Sequence, residues 1–304
     1  MVNFLLIICC LSAGIIMSSL RILPKDSHKS VNAWLLYVAL PSFALRFVPE
    51  IEWGMQMILP GVSPIIVWTG AWVFSLLYAK KMKADKATQT ALFVTCGLGN
   101  TAFLGFPMIA AFYGEDQIHH AIVFDQVTFL LFSTMAVIVI LRGAGEAEKK
   151  PNFSSIVKKV FRFPPFIASL SALLLSPWLD FSPINPFLDK FVATLSPLAL
   201  FSIGLQLKIG DWKKEIAPLS AGLFYKLLLA PLLVFLFAFA MQGSGNLARI
   251  TVFEASMSSH ITTSLLAAQY NLNPRLCSLM VGFGLFANFI TSVLWWWLGD
   301  VYIK

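Results

Sequence analysis

Charged residues are scarce in this sequence. Of its 304 residues, only 12% are Asp, Glu, Lys or Arg, whereas 58% are hydrophobic. A soluble domain is closer to half apolar and a quarter charged. This imbalance excludes an ordinary soluble fold and predicts that the lipid bilayer is the solvent for most of the chain. Because one membrane-spanning helix needs about 20 apolar residues, the length predicts about ten spans and leaves no room for a soluble domain.

Cysteine is also scarce, and the first twenty residues carry no charged side chain. All four cysteines lie in apolar stretches without the spacing of a metal site: Cys9, Cys10, Cys96 and Cys277. We interpret them as small buried hydrophobic residues and expect neither a metal nor a cofactor. A secretory signal peptide has a basic first region and a small-residue cleavage site, and neither is present. We therefore predict that residues 2–20 form a retained first helix.

Enzyme and nucleic-acid signals are missing as well. The sequence contains no His-Glu-x-x-His, no Gly-x-Ser-x-Gly and no aspartate-rich cation motif, which argues against a membrane enzyme. The net charge is +7, but the basic residues occur in short clusters between apolar segments. That distribution is typical of membrane topology, and we expect no nucleic-acid partner.

Ten apolar segments can be recognised along the chain. They lie near residues 2–20, 30–48, 57–79, 89–113, 119–141, 163–179, 187–207, 215–241, 246–270 and 276–299. Lys and Arg fall in the loops after the first, third, fifth, seventh and ninth segments, whereas the other loops are acidic or nearly uncharged. Because cytoplasmic loops are rich in Lys and Arg, we predict a multi-pass protein of the cell (plasma or inner) membrane with both termini outside.

The two halves of the sequence are similar to each other. Pro60 in the third segment corresponds to Pro218 in the eighth, and Pro41 in the second has its counterpart in Pro197 in the seventh. Because each half contributes five spans, an odd number, the second half enters the membrane from the opposite side. Inverted repeats of this kind are common in secondary transporters. We predict an all-α integral membrane protein of ten transmembrane helices in two inverted five-helix repeats, joined by a cytoplasmic linker. The predicted boundaries are residues 1–141, 142–162 and 163–304.

The fourth segment contains residues that disfavour a continuous helix: Gly97, Gly99, Asn100, Gly105 and Pro107. Pro107 lacks the N–H that a helix needs at this position. Backbone opened at membrane depth must be covered by protein or line a wet cavity. We interpret the run as an unwound crossover with a binding site. The alternative is a proline kink with glycines for close helix packing.

The ninth segment is predicted to hold the partner interruption. From Glu254 to Ser264 most positions carry a hydroxyl, acid or imidazole side chain, with no Pro or Gly. Ser and Thr can bond to carbonyls freed by local unwinding, although a Ser/Thr-lined packing face is the alternative. Two half-helices whose N-termini meet at mid-membrane would offer free N–H groups to an anion such as a carboxylate.

Two groups of residues make up the predicted site. The substrate-binding group comprises Gly99, Asn100, Thr101, Ser258, Ser259, His260 and Asn288. The crossover group comprises Gly97, Gly105, Pro107 and Met257.

The run from Gly99 to Pro107 closely resembles the crossover signature of the auxin efflux carrier family. Leu40-Pro41, the run from Lys226 to Pro231 and the run from Leu266 to Leu272 also resemble family positions. That family includes the plant auxin exporters and bacterial carriers of malonate, malate and similar acids. The resemblance implies crossing, broken fourth and ninth helices, a scaffold of helices 1, 2, 6 and 7, and a mobile unit made of the rest.

The sequence departs from the family pattern in the ninth segment. Ser258 stands where the family usually has the Pro of an Ala-Met-Pro-type turn, and His260 adds a titratable group. The geometry of the second half-site and the coupling ion therefore stay open. The short linker resembles bacterial-type carriers rather than the plant exporters with their long loop.

Four ionisable residues fall within the predicted spans: Asp125, Lys226, Glu254 and His260. A charge at the bilayer centre costs ~3 kcal/mol or more, so each needs a partner or a proton. We predict that Lys226 pairs with Asp125 or Glu254; a local pair of Glu254 with Arg249 is the alternative. These four residues are the candidates for ion coupling, with a proton or sodium as the ion.

Together these features predict a secondary active transporter of a small organic anion, such as a carboxylate or an auxin-like acid, and not an enzyme. The resemblance implies an elevator-type movement. The alternatives are a non-transporting receptor or sensor with a carrier fold, and a channel. The direction of transport, and whether the protein forms a homodimer, stay open.

Overall fold

The computed structural model describes residues 2–51, 54–145, 161–162, 164–207 and 212–303. Within these ranges the regular secondary structure is all helical, and there is no β-strand. The helices are α1 (Val2–Ser19), α2 (Ser27–Glu50), α3 (Met55–Met82), α4 (Lys86–Gly97), α5 (Thr101–Phe112), α6 (Glu115–Gly143), α7 (Pro164–Leu175), α8 (Ser182–Gln206), α9 (Lys213–Ala240), α10 (Gly245–Ala255), α11 (Ile261–Gln269) and α12 (Pro274–Tyr302). Six of them are long and apolar enough to cross a membrane: α2, α3, α6, α8, α9 and α12.

Helix is present in each of the predicted apolar segments, and two segments are interrupted. The fourth is divided into α4 and α5, and the ninth into α10 and α11, so both predicted interruptions are confirmed. Within the predicted linker, residues 142–162, positions 146–160 lie outside the described residues. The arrangement as ten inverted spans stays a prediction.

Three of the helix prolines share one structural feature. Pro41, Pro107 and Pro231 each stand two residues after a π-helical turn: Leu35–Ala39, Thr101–Gly105 and Tyr225–Leu229. The wider hydrogen-bond spacing of a π turn accommodates a residue without an N–H. The interpretation that Pro107 opens the fourth segment is therefore wrong: Pro107 lies within α5, and the interruption precedes that helix.

The chain divides into two compact units. The first unit comprises Met1–Trp53, Ala102–Ile122 and Val157–Leu207. The second unit comprises Gly54–Thr101, Val123–Ile156 and Lys208–Lys304.

In the first unit, α1 and α8 pack with their backbones in close approach. A Cβ atom on Gly14 would come within 2.3 Å of the Phe201 carbonyl oxygen, and one on Gly204 within 2.4 Å of the Leu11 carbonyl oxygen. Small residues allow membrane helices to approach this closely, because no side chain separates the backbones. Ser202 of α8 also bonds to Asn32 of α2 at 2.5 Å.

In the second unit, the π turn of α9 is held by two side-chain hydrogen bonds. The Tyr225 hydroxyl donates to the Val67 carbonyl of α3 at 2.8 Å, and the Trp295 indole N–H of α12 donates to the Leu227 carbonyl at 2.8 Å. Gly70 leaves room for the Tyr225 hydroxyl. These bonds fix the residue between Tyr225 and Leu227, which is Lys226.

In the same unit, a side-chain cap fixes the start of α4. Asp85 caps this helix by accepting a hydrogen bond from the Thr88 backbone N–H at 2.8 Å. Hydrogen bonds from the Thr88 side chain and backbone hold the pKa of Asp85 below its ordinary value. The cap sets the helix that leads from this loop into the first interruption.

Candidate functional site

The two interruptions pair with each other in the second unit. Gly99 and Ser259 form an antiparallel bridge. On its two sides, the Asn100 N–H donates to the Ser258 carbonyl at 2.8 Å and the His260 N–H donates to the Leu98 carbonyl at 3.0 Å. Backbone groups that leave a helix at membrane depth need such partners, because lipid supplies none.

At the end of α10, side-chain hydrogen bonds replace helical hydrogen bonds that are missing. The Ser256 hydroxyl donates back to the Phe253 carbonyl at 2.7 Å, as predicted for a serine at an unwound turn. The Asn288 amide donates to the Ser256 carbonyl at 2.9 Å. The predicted polar residue of the tenth segment thus supports the interruption from α12.

Lys226 has a different partner from the one predicted. Its ammonium donates to the Ala255 carbonyl at 3.2 Å, and the side chain is only 1% exposed. Within the described residues no carboxylate oxygen lies within the 4.0 Å of an ion pair from this nitrogen, so the predicted direct pair with Asp125 or Glu254 is wrong. The physical reason is that the end of α10 offers a carbonyl and the negative end of the helix dipole.

Glu254 is fully buried, and neither of its carboxylate oxygens has a hydrogen-bond partner in the part of the chain that the structure describes. The alternative local pair with Arg249 is also not formed. Arg249 bonds instead to the Asp300 carboxylate at 3.1 Å and to the Ile303 carbonyl at 2.8 Å. The charges of Lys226 and Asp125 both act on the Glu254 carboxyl.

Asp125 lies against the beginning of α5. Its carboxylate accepts a hydrogen bond from the Thr101 hydroxyl at 2.5 Å. Thr101 is the first residue of α5, where the helix dipole is positive and favours a negative charge. The Thr101 hydroxyl, one donor of the predicted anion site, is therefore already bonded to Asp125.

His260 caps α11. Its Nδ1 atom lies 2.8 Å from the Thr263 hydroxyl and accepts from the Thr263 N–H at 3.3 Å. An Nδ1 atom that accepts from a backbone N–H carries no hydrogen, so in the neutral ring the hydrogen is on Nε2. This Nε2 edge has no hydrogen-bond partner among the described residues, and the ring lies 5.0 Å from that of Phe132.

The Asn100 side chain is the second donor without a protein partner. Its backbone N–H is engaged, but its amide makes no hydrogen bond within the described ranges. The neighbouring Ser259 hydroxyl is buried and likewise lacks a partner there. Polar groups buried without partners are costly, so groups of this kind mark a place where a ligand is expected.

The predicted crossover residues have separate roles. Gly97 ends α4 against Trp68, because a Cβ atom there would lie 2.7 Å from that ring. Met257 is buried in the second interruption. Gly105 and Pro107 lie within α5 and do not take part in the pairing of the interruptions.

Two neighbours of the site were not foreseen from the sequence. Thr263 completes the His260 cap, and the three-residue spacing between them is the usual signal for such a bond. Trp295 is 3% exposed, and its indole N–H donates to the Leu227 carbonyl, next to Lys226. A polar N–H in a buried aromatic ring needs a partner, and the π turn of α9 supplies a carbonyl.

Comparison with known proteins gives matches along nearly the whole chain. A family model described as membrane transport protein matches residues 1–296. The chain is 25% identical over 285 residues to a protein of Methanothermobacter thermautotrophicus named an uncharacterized transporter, covering 93% of this chain and 92% of that one. It is 23% identical over 265 residues to a Rhizobium meliloti protein provisionally named a malonate transporter, covering 82% and 80%.

A third relative is the uncharacterized transporter YfdV of Escherichia coli, which is 21% identical over 287 residues, covering 89% of this chain and 88% of that one. All three relatives are transporters by name, and each match extends over most of both chains. The resemblance based on Gly99 to Pro107 is thereby confirmed. The chain belongs to the membrane transport protein family, the family of auxin efflux carrier type.

Proposed function

We propose that this protein is a secondary active carrier of a small organic anion, which binds beside the paired interruptions. In this proposal the chain crosses the cell membrane ten times as two inverted repeats, with both termini outside. The family membership and the alternation of basic and acidic loops support it. Small carboxylates are the favoured substrate class, and one relative is provisionally named a malonate transporter.

One observation carries the proposal. The two interruptions pair with each other through backbone groups, yet the Asn100 amide and the His260 Nε2 edge have no hydrogen-bond partner among the residues that the structure describes. In addition, the first N–H groups of α11 precede its first intrahelical hydrogen bond. Free donors on residues of the paired interruptions, beside the positive end of α11, favour an anion.

We assign the coupling proton to Asp125. An ionised Asp125 accepts a strong hydrogen bond from the Thr101 hydroxyl and repels an incoming carboxylate, whereas a protonated Asp125 holds the hydroxyl less strongly and carries no charge to repel the substrate. His260 is less suited to carry the proton, because a proton on Nδ1 would break the cap of α11. The expected result is that the anion binds together with a proton.

The composition of the two units supports the proposed elevator-type movement. The interruption from Leu98 to Asn100 and the interruption from Ser256 to His260 both belong to the second unit, together with Asp125 and Lys226. A movement of that unit as one body would carry the bound anion with it. This proposal requires that the second unit exposes its bound anion first to one side of the membrane and then to the other.

A ligand screen tests the substrate class. Purified protein would be heated in the presence of dicarboxylates, keto acids and indole acids at equal pH and ionic strength. A ligand at 100 times its dissociation constant stabilises the protein by about 2.7 kcal/mol. Stabilisation by at least one of these anions, and its loss in Asn100→Ala, is the expected outcome. If no organic anion stabilises the protein and neutral or cationic solutes do, the proposal is wrong.

A further inference from the structure

The Lys226 ammonium ends among backbone oxygens at the interruption of the ninth segment. It lies 3.2 Å from the Ala255 carbonyl oxygen. A Cβ atom built on Gly99 would lie 3.2 Å from this nitrogen, 3.6 Å from the Met257 carbonyl oxygen and 3.7 Å from the Glu254 carbonyl oxygen. The ammonium and the carbonyls of Met257 and Glu254 therefore lie around the same glycine, whose lack of a side chain leaves them room, and the ammonium also contacts the Ala255 carbonyl.

These oxygens have the chemistry of a cation seat. They come from the last turn of α10 and the residues after it, where the helix dipole is negative. Carbonyl and carboxylate oxygens are the ligands that small hard cations prefer. In carriers with interrupted helices, unwound carbonyls and half-helix C-terminal ends are the groups that coordinate a coupling sodium ion. We define the cation seat as the position of the Lys226 ammonium, beside the Ala255 carbonyl and next to the Glu254 and Met257 carbonyls that lie around Gly99.

Glu254 supplies the second, independent observation. Its side chain is 0% exposed, and both carboxylate oxygens lack a hydrogen-bond partner in the described part of the chain. The charge of Lys226 acts on this carboxyl, although the two do not form a direct ion pair. A nearby cation such as the Lys226 ammonium favours the ionised form of this carboxyl.

Lys226 is held in this place by its neighbours in sequence. The hydrogen bonds of Tyr225 to Val67 and of Trp295 to Leu227 fix the π turn on either side of it. A lysine on such a turn cannot extend to the membrane surface. Its ammonium therefore stays in the cation seat, because the side chain is covalently part of the protein.

We infer that Lys226 is a tethered cation in a seat that a free sodium ion would otherwise occupy, so that this carrier works without sodium. The consequence for transport depends on the proposed function, whereas the occupancy of the seat does not. Removing the Lys226 side chain should turn the seat into a sodium site. The probe is therefore sodium alone, without organic anion.

The experiment compares apparent melting temperatures in sodium chloride and choline chloride at equal ionic strength. The natural protein should melt at the same temperature in both salts. Lys226→Ala should be less stable in choline and recover in sodium. Sodium at about 100 times its dissociation constant would favour the folded variant about 100-fold over choline. If Lys226→Ala does not fold in either salt, Lys226→Leu is the second variant, since its shorter side chain also leaves the ammonium position open.

Two control variants separate the seat from general charge effects. Arg249→Ala removes a positive charge from α10, the helix whose last carbonyls adjoin the seat. Because Arg249 pairs with Asp300 and not with the seat, this variant should show no sodium response. Glu254→Gln in the Lys226→Ala background removes the carboxylate and should weaken sodium binding by about tenfold or more, which corresponds to about 1.4 kcal/mol.

Either of two results overturns the inference. One is sodium stabilisation of the natural protein that Glu254→Gln abolishes, because the seat would then accept sodium beside Lys226. The other is equal stability of the folded Lys226 variants in sodium and choline. A natural protein that binds no organic anion in any salt would contradict the proposed function alone, and the sodium comparison would still decide the occupancy of the seat.

Discussion

Replacement of Asn100 by alanine tests the site most sharply at the level of one side chain. The Asn100 amide has no protein partner in the described residues, and its backbone N–H keeps its bond to Ser258 whatever the side chain. Asn100→Ala therefore leaves no protein group unpaired, and we expect the protein to fold and insert. Its effect should fall on the ligand.

The magnitude follows from the lost hydrogen bond. A hydrogen bond to a charged group contributes roughly 1.5–3 kcal/mol, which corresponds to about 10- to 150-fold in affinity. Asn100→Asp has the same shape but places a negative charge beside the anion, so its loss should be larger. Isothermal titration of purified, monodisperse variants with the anion that stabilises the natural protein most would measure both.

A matched control comes from the first unit. Asn32→Ala removes an asparagine that bonds to Ser202, and it should lower stability without changing anion affinity. If Asn100→Ala binds the anion as tightly as the natural protein, the amide does not reach the ligand. The paired interruptions would then be a structural crossover, and the binding site would lie elsewhere.

The other predictions concern coupling, helix geometry, packing and topology. Anion affinity of the natural protein should fall as pH rises, and Asp125→Asn should remove this dependence; a variant that keeps the full dependence would exclude Asp125 as the proton carrier. Pro107→Ala should leave equilibrium affinity unchanged, because the pairing of the interruptions does not involve Pro107; a large loss of affinity in titration would contradict this. Trp295→Phe leaves the Leu227 carbonyl unpaired and should cost about 1–3 kcal/mol of stability, whereas an unchanged melting temperature would argue against this bond. A cysteine at position 146 should resist labelling from outside intact cells, and efficient labelling would refute the inverted topology.

Much of the helical pattern could be predicted from the sequence, because runs of apolar residues long enough to span a bilayer are a strong local signal. The interruption at Gly99 and Asn100 could also be predicted, since glycines weaken a helix locally. The interruption after Ala255 was harder, because it contains no Pro or Gly and depends on tertiary partners such as Asn288.

The partners of buried polar groups could not be predicted in the same way. Charge complementarity suggested an ion pair for Lys226, but the carbonyl at the end of α10 lies nearer to its nitrogen than any carboxylate of the described residues. The position of Trp295 depended on which face of α12 meets the π turn of α9. Such choices depend on how elements that are distant in sequence pack together, and local residue patterns carry little information about that packing.

Counterflow in sealed vesicles tests the central claim most directly. Vesicles containing the purified protein would be loaded with the unlabelled anion that binds best and then diluted into a trace of the same anion carrying a radioactive label. The account predicts transient accumulation of label in vesicles with the natural protein, and a much smaller accumulation in Asn100→Ala at the same subsaturating concentration. Tight binding of the anion without any counterflow would contradict it and would identify the protein as a receptor that kept the carrier fold.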